Sequence, residues 1–172
     1  MNWWKQYWIF NWSTVLSVAK IPSWTKWTVS LWIQKLNTSD STIFCQNLNT
    51  ANSNNYVEVN VSWTRFQRYD PQSGEYNWTY TFTTWAWYNV IISSNWSQLE
   101  LTINGVSQWT KNYSYWFNRF STNQLCLWWL IRSTQSYALL NWYLSKVILE
   151  DRTRTSQEKL DYFNKTKKHY WY

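Results

Sequence analysis

Residues 85–105, WAWYNVIISSNWSQLELTING, decide the fold because they are typical of two β-strands joined by a turn. Apolar and polar side chains largely alternate in residues 88–93 and again in residues 98–103. A period of two places the apolar residues on one face of a sheet and the polar residues on the other. Residues 93–97 supply polar turn residues, and Asn104-Gly105 ends the second strand. We therefore predict an antiparallel hairpin with one face in a core and one facing outward.

Motifs in and around this hairpin resemble the laminin-G-like family of concanavalin A-type jelly rolls. The similar segments, in the family's order, are residues 27–33 (WTVSLWI), 87–90 (WYNV), 101–106 (LTINGV), 141–150 (NWYLSKVILE) and 155–164 (TSQEKLDYFN). Two departures occur: the glycine that normally opens the late strand is absent, and so is the leucine that leads the helix motif. The resemblance covers roughly residues 7–164.

The resemblance implies an all-β fold, a two-sheet antiparallel jelly-roll sandwich of the concanavalin A-like type with a short C-terminal helix. A chain of 172 residues fits one such domain. We predict a laminin-G-like domain at residues 1–164 and a basic, aromatic tail at residues 165–172.

Three local patterns refine this fold. Thr155 and Glu158 match the T-x-x-E capping box, which predicts that the terminal helix begins there. Trp32 lies on the otherwise polar face of strand 27–35, which indicates that both faces of that strand are covered. The alternation of the late strand shifts near Lys146, which predicts a β-bulge.

Neither the charge pattern nor the apolar pattern of the chain favours a nucleic acid partner or a membrane span. The chain has 16 basic and 9 acidic residues, and part of the excess is the run Lys165, Lys167, Lys168 and His169. Such a run is most often a solvated tail, and the other charges are scattered without a nucleic-acid-binding motif. The longest apolar run, residues 125–131, is far too short to span a membrane.

The two cysteines, Cys45 and Cys126, are too few for a disulfide scaffold and lack metal-ligand spacing. Both lie in apolar strand contexts, so buried free thiols are the default. A single bridge between them is the alternative if the protein is exported. Residues 1–12 show no signal-peptide pattern.

The composition is unusual because the chain has 18 Trp and only 2 Gly. Five of the tryptophans directly follow an asparagine, and Asn-Gly is the strongest short hairpin signal. We hypothesise that the gene encodes glycine with UGA, which has been read here as tryptophan. The alternative is a protein that truly carries these tryptophans, for example to stack on sugars. Trp27, Trp32 and Trp87 occupy positions where the family accepts an aromatic, so we expect them to be genuine and buried between the two sheets.

The sequence gives no catalytic residue to nominate, and we predict that the chain is not an enzyme. Related glucanases carry two or more carboxylates on one strand, whereas the acidic residues here are dispersed. Glu150 and Asp151 are adjacent and therefore point to opposite faces of a strand. The single histidine lies in the predicted tail. A glycoside hydrolase is thus only a remote alternative.

The resemblance implies a non-catalytic binding module, most simply one that recognises glycans on a surface or virion protein. The alternative is a structural or protein-interaction domain of a larger surface or phage-like protein. Candidate ligand contacts are the outward polar residues of the hairpin, Asn89, Glu100 and Thr102, and the loop at residues 47–55. We predict no cofactor and no metal ligand. The family often binds calcium, for which Asp40 and Asp70 are isolated candidates. An extracellular, cell-surface or virion location fits this function better than the cytoplasm.

Overall fold

The computed structural model describes residues 8–9, 16–18, 26–36, 41–47, 56–62, 65–70, 74–95, 97–112, 124–127, 130–132, 135–137 and 142–170. Within these residues the chain forms fourteen strands, one α-helix and one 3₁₀-helix. The strands are β1 (Trp8–Ile9), β2 (Leu16–Val18), β3 (Trp27–Lys35), β4 (Ser41–Asn47), β5 (Tyr56–Ser62), β6 (Arg65–Asp70), β7 (Gly74–Thr79), β8 (Trp87–Asn95), β9 (Gln98–Ile103), β10 (Val106–Asn112), β11 (Gln124–Leu127), β12 (Leu130–Arg132), β13 (Gln135–Tyr137) and β14 (Trp142–Glu150). The helices are α1 (Ser156–Thr166) and the 3₁₀-helix Lys167–Tyr170.

The strands form two antiparallel six-stranded sheets and one small two-stranded sheet. Sheet A has the order β1-β14-β3-β8-β9-β10, and sheet B has the order β2-β11-β4-β5-β6-β7. Strands β12 and β13 pair only with each other among the described residues. The fold is therefore the two-sheet antiparallel sandwich with a short C-terminal helix that the sequence predicts.

The hairpin of residues 85–105 lies in the middle of sheet A, as predicted. Strand β8 pairs with both β3 and β9, so neither of its edges is open. The second turn, Asn104-Gly105, joins β9 to β10 with φ angles of 52° and 79°. Two left-handed residues in a two-residue loop are typical of a type I′ turn, which Asn-Gly favours. The Asn104 side chain accepts a hydrogen bond from the Asn89 backbone N–H at 2.9 Å and so ties this turn to β8.

One face of sheet A is the apolar core face. Cross-strand partners such as Val29 with Ile92, and Leu31 with Val90, place successive apolar residues on this face. The buried apolar residues of the face are Trp27, Val29, Leu31, Ile33, Tyr88, Val90, Ile92, Leu99, Leu101, Ile103 and Leu144. Each fully buried aliphatic side chain contributes about 1.5–3 kcal/mol through removal from water. This face is the side of sheet A that a two-sheet sandwich encloses.

The opposite face of sheet A is also buried, which corrects the prediction of an outward polar face. Thr28, Ser30 and Trp32 on β3 are fully buried on this face, and so are Asn89 and Ser93 on β8. Helix α1 and the 3₁₀-helix cover it, because Phe163 and Tyr170 both stack on Trp32. The expectation that both faces of β3 are covered is confirmed.

Helix α1 begins at the predicted capping box. The Thr155 side chain accepts a hydrogen bond from the Glu158 backbone N–H, and the Glu158 carboxylate accepts one from the Thr155 backbone N–H. These reciprocal bonds satisfy donors that a helix start otherwise leaves unpaired. The predicted boundary after Asn164 falls inside the helix, which runs to Thr166 and continues as the 3₁₀-helix to Tyr170.

The predicted bulge in the late strand is present. The register of β14 against β3 shifts between Ser145 and Ile148. Lys146 has a φ of 49°, and its side chain is exposed. The extra residue allows Ser145 and Ile148, which pair with Trp32 and Ser30, to lie on the helix-covered face.

Trp27, Trp32 and Trp87, the tryptophans expected to be genuine, are buried. Only Trp27 lies on the core face, whereas Trp32 and Trp87 lie on the helix-covered face against Tyr170, which corrects the prediction that all three lie between the sheets.

If the tryptophans that follow an asparagine are misread glycines, we expect them in turns or at strand ends. Of these, Trp78 is the penultimate residue of β7, and Trp142 is the first residue of β14. Trp12 and Trp96 lie outside the described residues. Trp85 has a φ of 69° in the turn before β8, a left-handed conformation that bulky residues rarely adopt.

Candidate functional site

The three predicted ligand residues lie together on the helix-covered face of sheet A. Thr102 pairs with Ile91 and Glu100 pairs with Ser93, while Asn89 lies on the same face of β8. Asn89 and Thr102 have an exposed fraction of 0%, whereas Glu100 is only partly buried. A ligand role for the three residues remains a prediction, but Asn89 and Thr102 meet a ligand only if helix α1 leaves this face.

Asn89 acts inside the sheet. Its side-chain Nδ2 donates to the Leu31 backbone carbonyl at 3.1 Å, and its backbone exchanges hydrogen bonds with Asn104. Its Oδ1 is buried and has no hydrogen-bond partner among the described residues, and the same holds for the hydroxyls of Ser30 and Ser93. We call Ser30, Asn89, Ser93, Glu100 and Thr102 the covered polar layer. Such a layer lowers the apolar area that holds the helix to the sheet.

Glu100 anchors the helix to the covered polar layer through charge. Its Oε2 lies 2.6 Å from Lys159 Nζ, and its Oε1 accepts a hydrogen bond from the Thr102 hydroxyl at 3.3 Å. Burial raises the pKa of the Glu100 carboxyl. However, the hydrogen bond and charge of Lys159, together with hydrogen bonds from Ser107 and Thr102, bring the pKa below its ordinary value. Glu100 is therefore an ionised structural partner of the helix.

Aromatic stacking holds the far end of the helical segment. The Trp32 and Tyr170 rings stack with centroids 4.0 Å apart and planes within 10°, and Tyr170 also contacts Trp87 at 5.0 Å. We call Trp32, Trp87 and Tyr170 the aromatic clamp. Trp32 Nε1 donates to the Thr166 hydroxyl at 3.1 Å, and the Tyr170 hydroxyl lies 2.8 Å from Ser145 Oγ. Polar atoms of the clamp are thus paired inside an apolar cluster.

A second charged group lies at the start of the helix. Buried Arg154 forms an ion pair with Glu150, and its guanidinium lies 4.6 Å from the centre of the Tyr162 ring. Burial raises the pKa of the Tyr162 hydroxyl to about 12, so this phenol is neutral at physiological pH. Arg152 joins Glu150 to Glu158 at the surface. These ion pairs hold the start of the helix in place, and both carboxylates in the group are already paired with arginine.

The turn before β8 is the exposed surface that the sequence did not nominate. In residues 80–86, which we call the rim turn, Thr81, Thr83 and Thr84 are exposed. Trp85 is 65% exposed, and its backbone carbonyl accepts a hydrogen bond from the Gln34 side chain at 2.5 Å. In the sequence, only the run of polar residues Thr81, Thr83 and Thr84 distinguishes this turn.

The rim turn rests on a fixed aromatic base. Phe82 and Tyr88 are buried with ring centroids 4.8 Å apart in an edge-to-face arrangement, and Tyr80 contacts both rings. The Tyr88 hydroxyl accepts a hydrogen bond from the Thr83 backbone N–H at 2.7 Å. The packing under the turn therefore holds the backbone that carries the exposed threonines.

The other predicted ligand positions lie mostly outside the described residues. The loop at residues 47–55 lies outside the described residues except for Asn47, the last residue of β4. Asp40 also lies outside them, and Asp70 is the last residue of β6. Across the described part of the chain, no three His, Cys, Asp or Glu residues gather in a way that could hold a metal ion. Calcium binding stays a prediction from the resemblance alone.

Comparison with protein-family models and with curated sequences finds no match to this chain. Solved structures do match. The receptor-binding domain of botulinum neurotoxin type G superposes on 91% of this chain with a TM-score of 0.64 and 12% identity. A native heptameric SAP-like pentraxin from Limulus polyphemus superposes on 81% of it with a TM-score of 0.63 and 14% identity. The chain spans 41% of the toxin domain and 70% of the pentraxin.

The fold is a jelly-roll sandwich. Sequence identities of 12–14% show the fold alone, so membership of the laminin-G-like family stays a prediction. The first of these structures is, by its name, a receptor-binding domain. A further similar structure is described as botulinum neurotoxin type C, whose cell entry depends on two ganglioside molecules, with a TM-score of 0.58 over 81% of this chain and 36% of that one. No helix in the described residues is long and apolar enough to cross a membrane.

Proposed function

We propose that this chain is a non-catalytic binding module that recognises glycans through the rim turn. The observation that carries the proposal is the row of exposed threonines, Thr81, Thr83 and Thr84, on a turn whose base is packed. Each hydroxyl both donates and accepts hydrogen bonds, as the hydroxyls of a sugar require. A fixed backbone lowers the conformational entropy lost when a ligand binds.

The similar folds support a binding role rather than catalysis. They include toxin receptor-binding domains and a pentraxin, and cell entry of the type C toxin depends on gangliosides, which are glycolipids. Three carboxylates of this chain, Glu100, Glu150 and Glu158, are already paired with lysine or arginine. A glycosidase needs one carboxyl group to donate a proton and a second to act as base or nucleophile. These paired residues therefore favour a non-catalytic module.

Trp85 bears on the proposal in two ways. If tryptophan is genuine at this position, its exposed indole offers a flat apolar surface beside the threonine hydroxyls. If the position is glycine in the natural protein, the hydroxyls alone make the contact. The proposal therefore rests on the threonines, and both forms of the protein belong in the test.

A glycan array with the intact chain tests the proposal. We expect a defined subset of glycans to bind, and we expect Thr81→Ala/Thr83→Ala/Thr84→Ala to weaken binding at least tenfold, since each lost hydrogen bond is worth about 1 kcal/mol. Thr110→Ala, at an exposed strand position of β10, is the matched control and should bind normally. The Trp85→Gly form should select the same glycans.

A silent array with both forms at residue 85 would refute glycan recognition. Protein partners are the competing class, since another similar structure is the binding domain of botulinum neurotoxin DC in complex with rat synaptotagmin II, with a TM-score of 0.57. A silent array together with a protein partner whose binding is lost in the triple threonine variant would assign the rim turn to protein recognition instead.

A further inference from the structure

The two cysteines of the chain occupy opposing positions on neighbouring strands of sheet B. Strands β4 and β11 pair in antiparallel fashion, and Cys126 is the cross-strand partner of Cys45. The register is continuous over four residue pairs, from Gln124 with Asn47 to Leu127 with Phe44. The sequence left open whether these thiols are separate or joined. The register brings together two positions that lie eighty-one residues apart in the chain.

Opposing positions of an antiparallel pair meet the backbone requirement for a disulfide. Directly opposed residues have Cα atoms about 4.5 Å apart at a non-hydrogen-bonded position and about 5.5 Å apart at a hydrogen-bonded one. A disulfide needs a Cα separation of roughly 4.4–6.8 Å. Both values lie inside that range. Residues that oppose each other also share a face of the sheet, whereas a shift by one residue changes the face.

We infer that Cys45 and Cys126 form a cross-strand disulfide when the protein meets a disulfide oxidant such as glutathione disulfide. The thiolate of one cysteine attacks the oxidant, forms a mixed disulfide and releases one glutathione thiol. The second cysteine then attacks the protein sulfur of that mixed disulfide and releases the second glutathione. The two cysteines lose two electrons and two protons, and the oxidant gains both to become two thiols.

The disulfide joins two neighbouring inner strands of sheet B, β11 and β4. Strand β11 lies between β2 and β4, so a link to β4 fixes both β11 and its neighbour β2 to the rest of sheet B. A crosslink that closes so long a loop removes more freedom from the unfolded chain than a local one does. The disulfide therefore joins sheet B covalently at the point where distant parts of the chain pair.

Oxidation of the purified full chain tests the inference. The reduced protein is incubated with glutathione disulfide, unfolded in an alkylating reagent and digested for mass spectrometry. We expect a monomer lighter than the reduced chain by two hydrogen atoms, with one peptide pair linking Cys45 to Cys126. The oxidised protein should also melt roughly 10 °C above the reduced one.

A register control separates this inference from general thiol reactivity. The variant Cys45→Ser/Gln46→Cys moves the thiol by one residue, to the position that opposes Leu125. It should give free thiols or glutathione adducts and no internal link. The inference is overturned if the unmutated protein, folded and oxidised to equilibrium, retains two alkylated cysteines or carries only glutathione adducts or intermolecular bonds. The unmutated protein decides the matter even if the variant fails to fold.

Discussion

Lys159 of helix α1 and Glu100 of strand β9 form an ion pair across the interface of helix and sheet, with Nζ and Oε2 2.6 Å apart. The Lys159 side chain is 1% exposed and that of Glu100 is 21% exposed. Removing two charges from water is unfavourable, so the pair is stable only while each partner compensates the other. Because the covered polar layer around Glu100 offers little apolar area, the packing of helix α1 on the sheet depends on the ion pair between Lys159 and Glu100.

Loss of the lysine charge should destabilise the protein strongly. Lys159→Met keeps the aliphatic length but leaves the Glu100 carboxylate without its cation, so we expect the free energy of unfolding to fall by about 2–3 kcal/mol. Urea denaturation measures the change. Lys159→Met/Glu100→Gln removes both charges and should recover most of the loss. Equal stabilities for Lys159→Met and the unmutated protein would show that the pair contributes nothing.

Acid should weaken the same contact. The folded protein holds the pKa of Glu100 below its ordinary value of 4.5, so the folded state favours the ionised carboxyl. This stabilisation is fully present above the unfolded pKa and is lost as the pH falls through the lower folded pKa. We expect stability to decrease below about pH 4.5, with a smaller decrease in Glu100→Gln. Glu158→Gln controls for the exposed capping carboxylate, whose pKa is also lowered.

The aromatic clamp should matter as much as a core residue. Tyr170→Ala removes the stack on Trp32 and the hydroxyl contact with Ser145, so we expect the free energy of unfolding to fall by about 3 kcal/mol. His169→Ala alters an exposed neighbour and should change it by less than about 0.5 kcal/mol. Thermal or urea unfolding followed by near-ultraviolet circular dichroism gives both values. Equal effects of the two substitutions would contradict the burial of Tyr170.

Position 85 tests the glycine hypothesis. Trp85→Gly relieves a left-handed backbone at an exposed site, so we expect it to stabilise the protein by about 1 kcal/mol. Trp87→Gly empties a buried site and should cost about 3–5 kcal/mol. The coding sequence gives a direct check, since UGG codons at Trp12, Trp96 and Trp142 would eliminate the hypothesis. A destabilised Trp85→Gly protein would remove its structural support.

Local patterns predicted the strands, the capping box and the bulge because each depends on neighbours in the chain. The alternation in the central hairpin, the T-x-x-E motif at Thr155 and the slip near Lys146 all reappear in the structure. Trp32, on a polar face, correctly indicated that something covers that face. These features require a period or a spacing and no knowledge of distant contacts.

The burial of the predicted ligand residues was harder to predict because the exposure of a side chain depends on distant segments of the chain. Asn89 and Thr102 have the polarity of solvent-facing residues, and the helix that buries them lies more than fifty positions later. The one available signal was the spacing of Lys159, Phe163, Thr166 and Tyr170, which fits one side of a continuous helix. The basic residues beside them, Lys165, Lys168 and His169, obscured that signal because a run of basic residues is typical of a solvated tail. In the structure these three side chains are indeed exposed.

The burial of Tyr170 also has a consequence during synthesis. The ribosome makes the strands of sheet A first, but Trp32 gains its stacking partners Phe163 and Tyr170, and Trp87 its contact with Tyr170, only after the C-terminal helical segment has left the exit tunnel. Until then the nascent chain presents one face of its central sheet uncovered. A chain that is released early therefore exposes two tryptophans and the polar layer beside them, and exposed apolar surface of this kind makes an incompletely folded chain prone to aggregation.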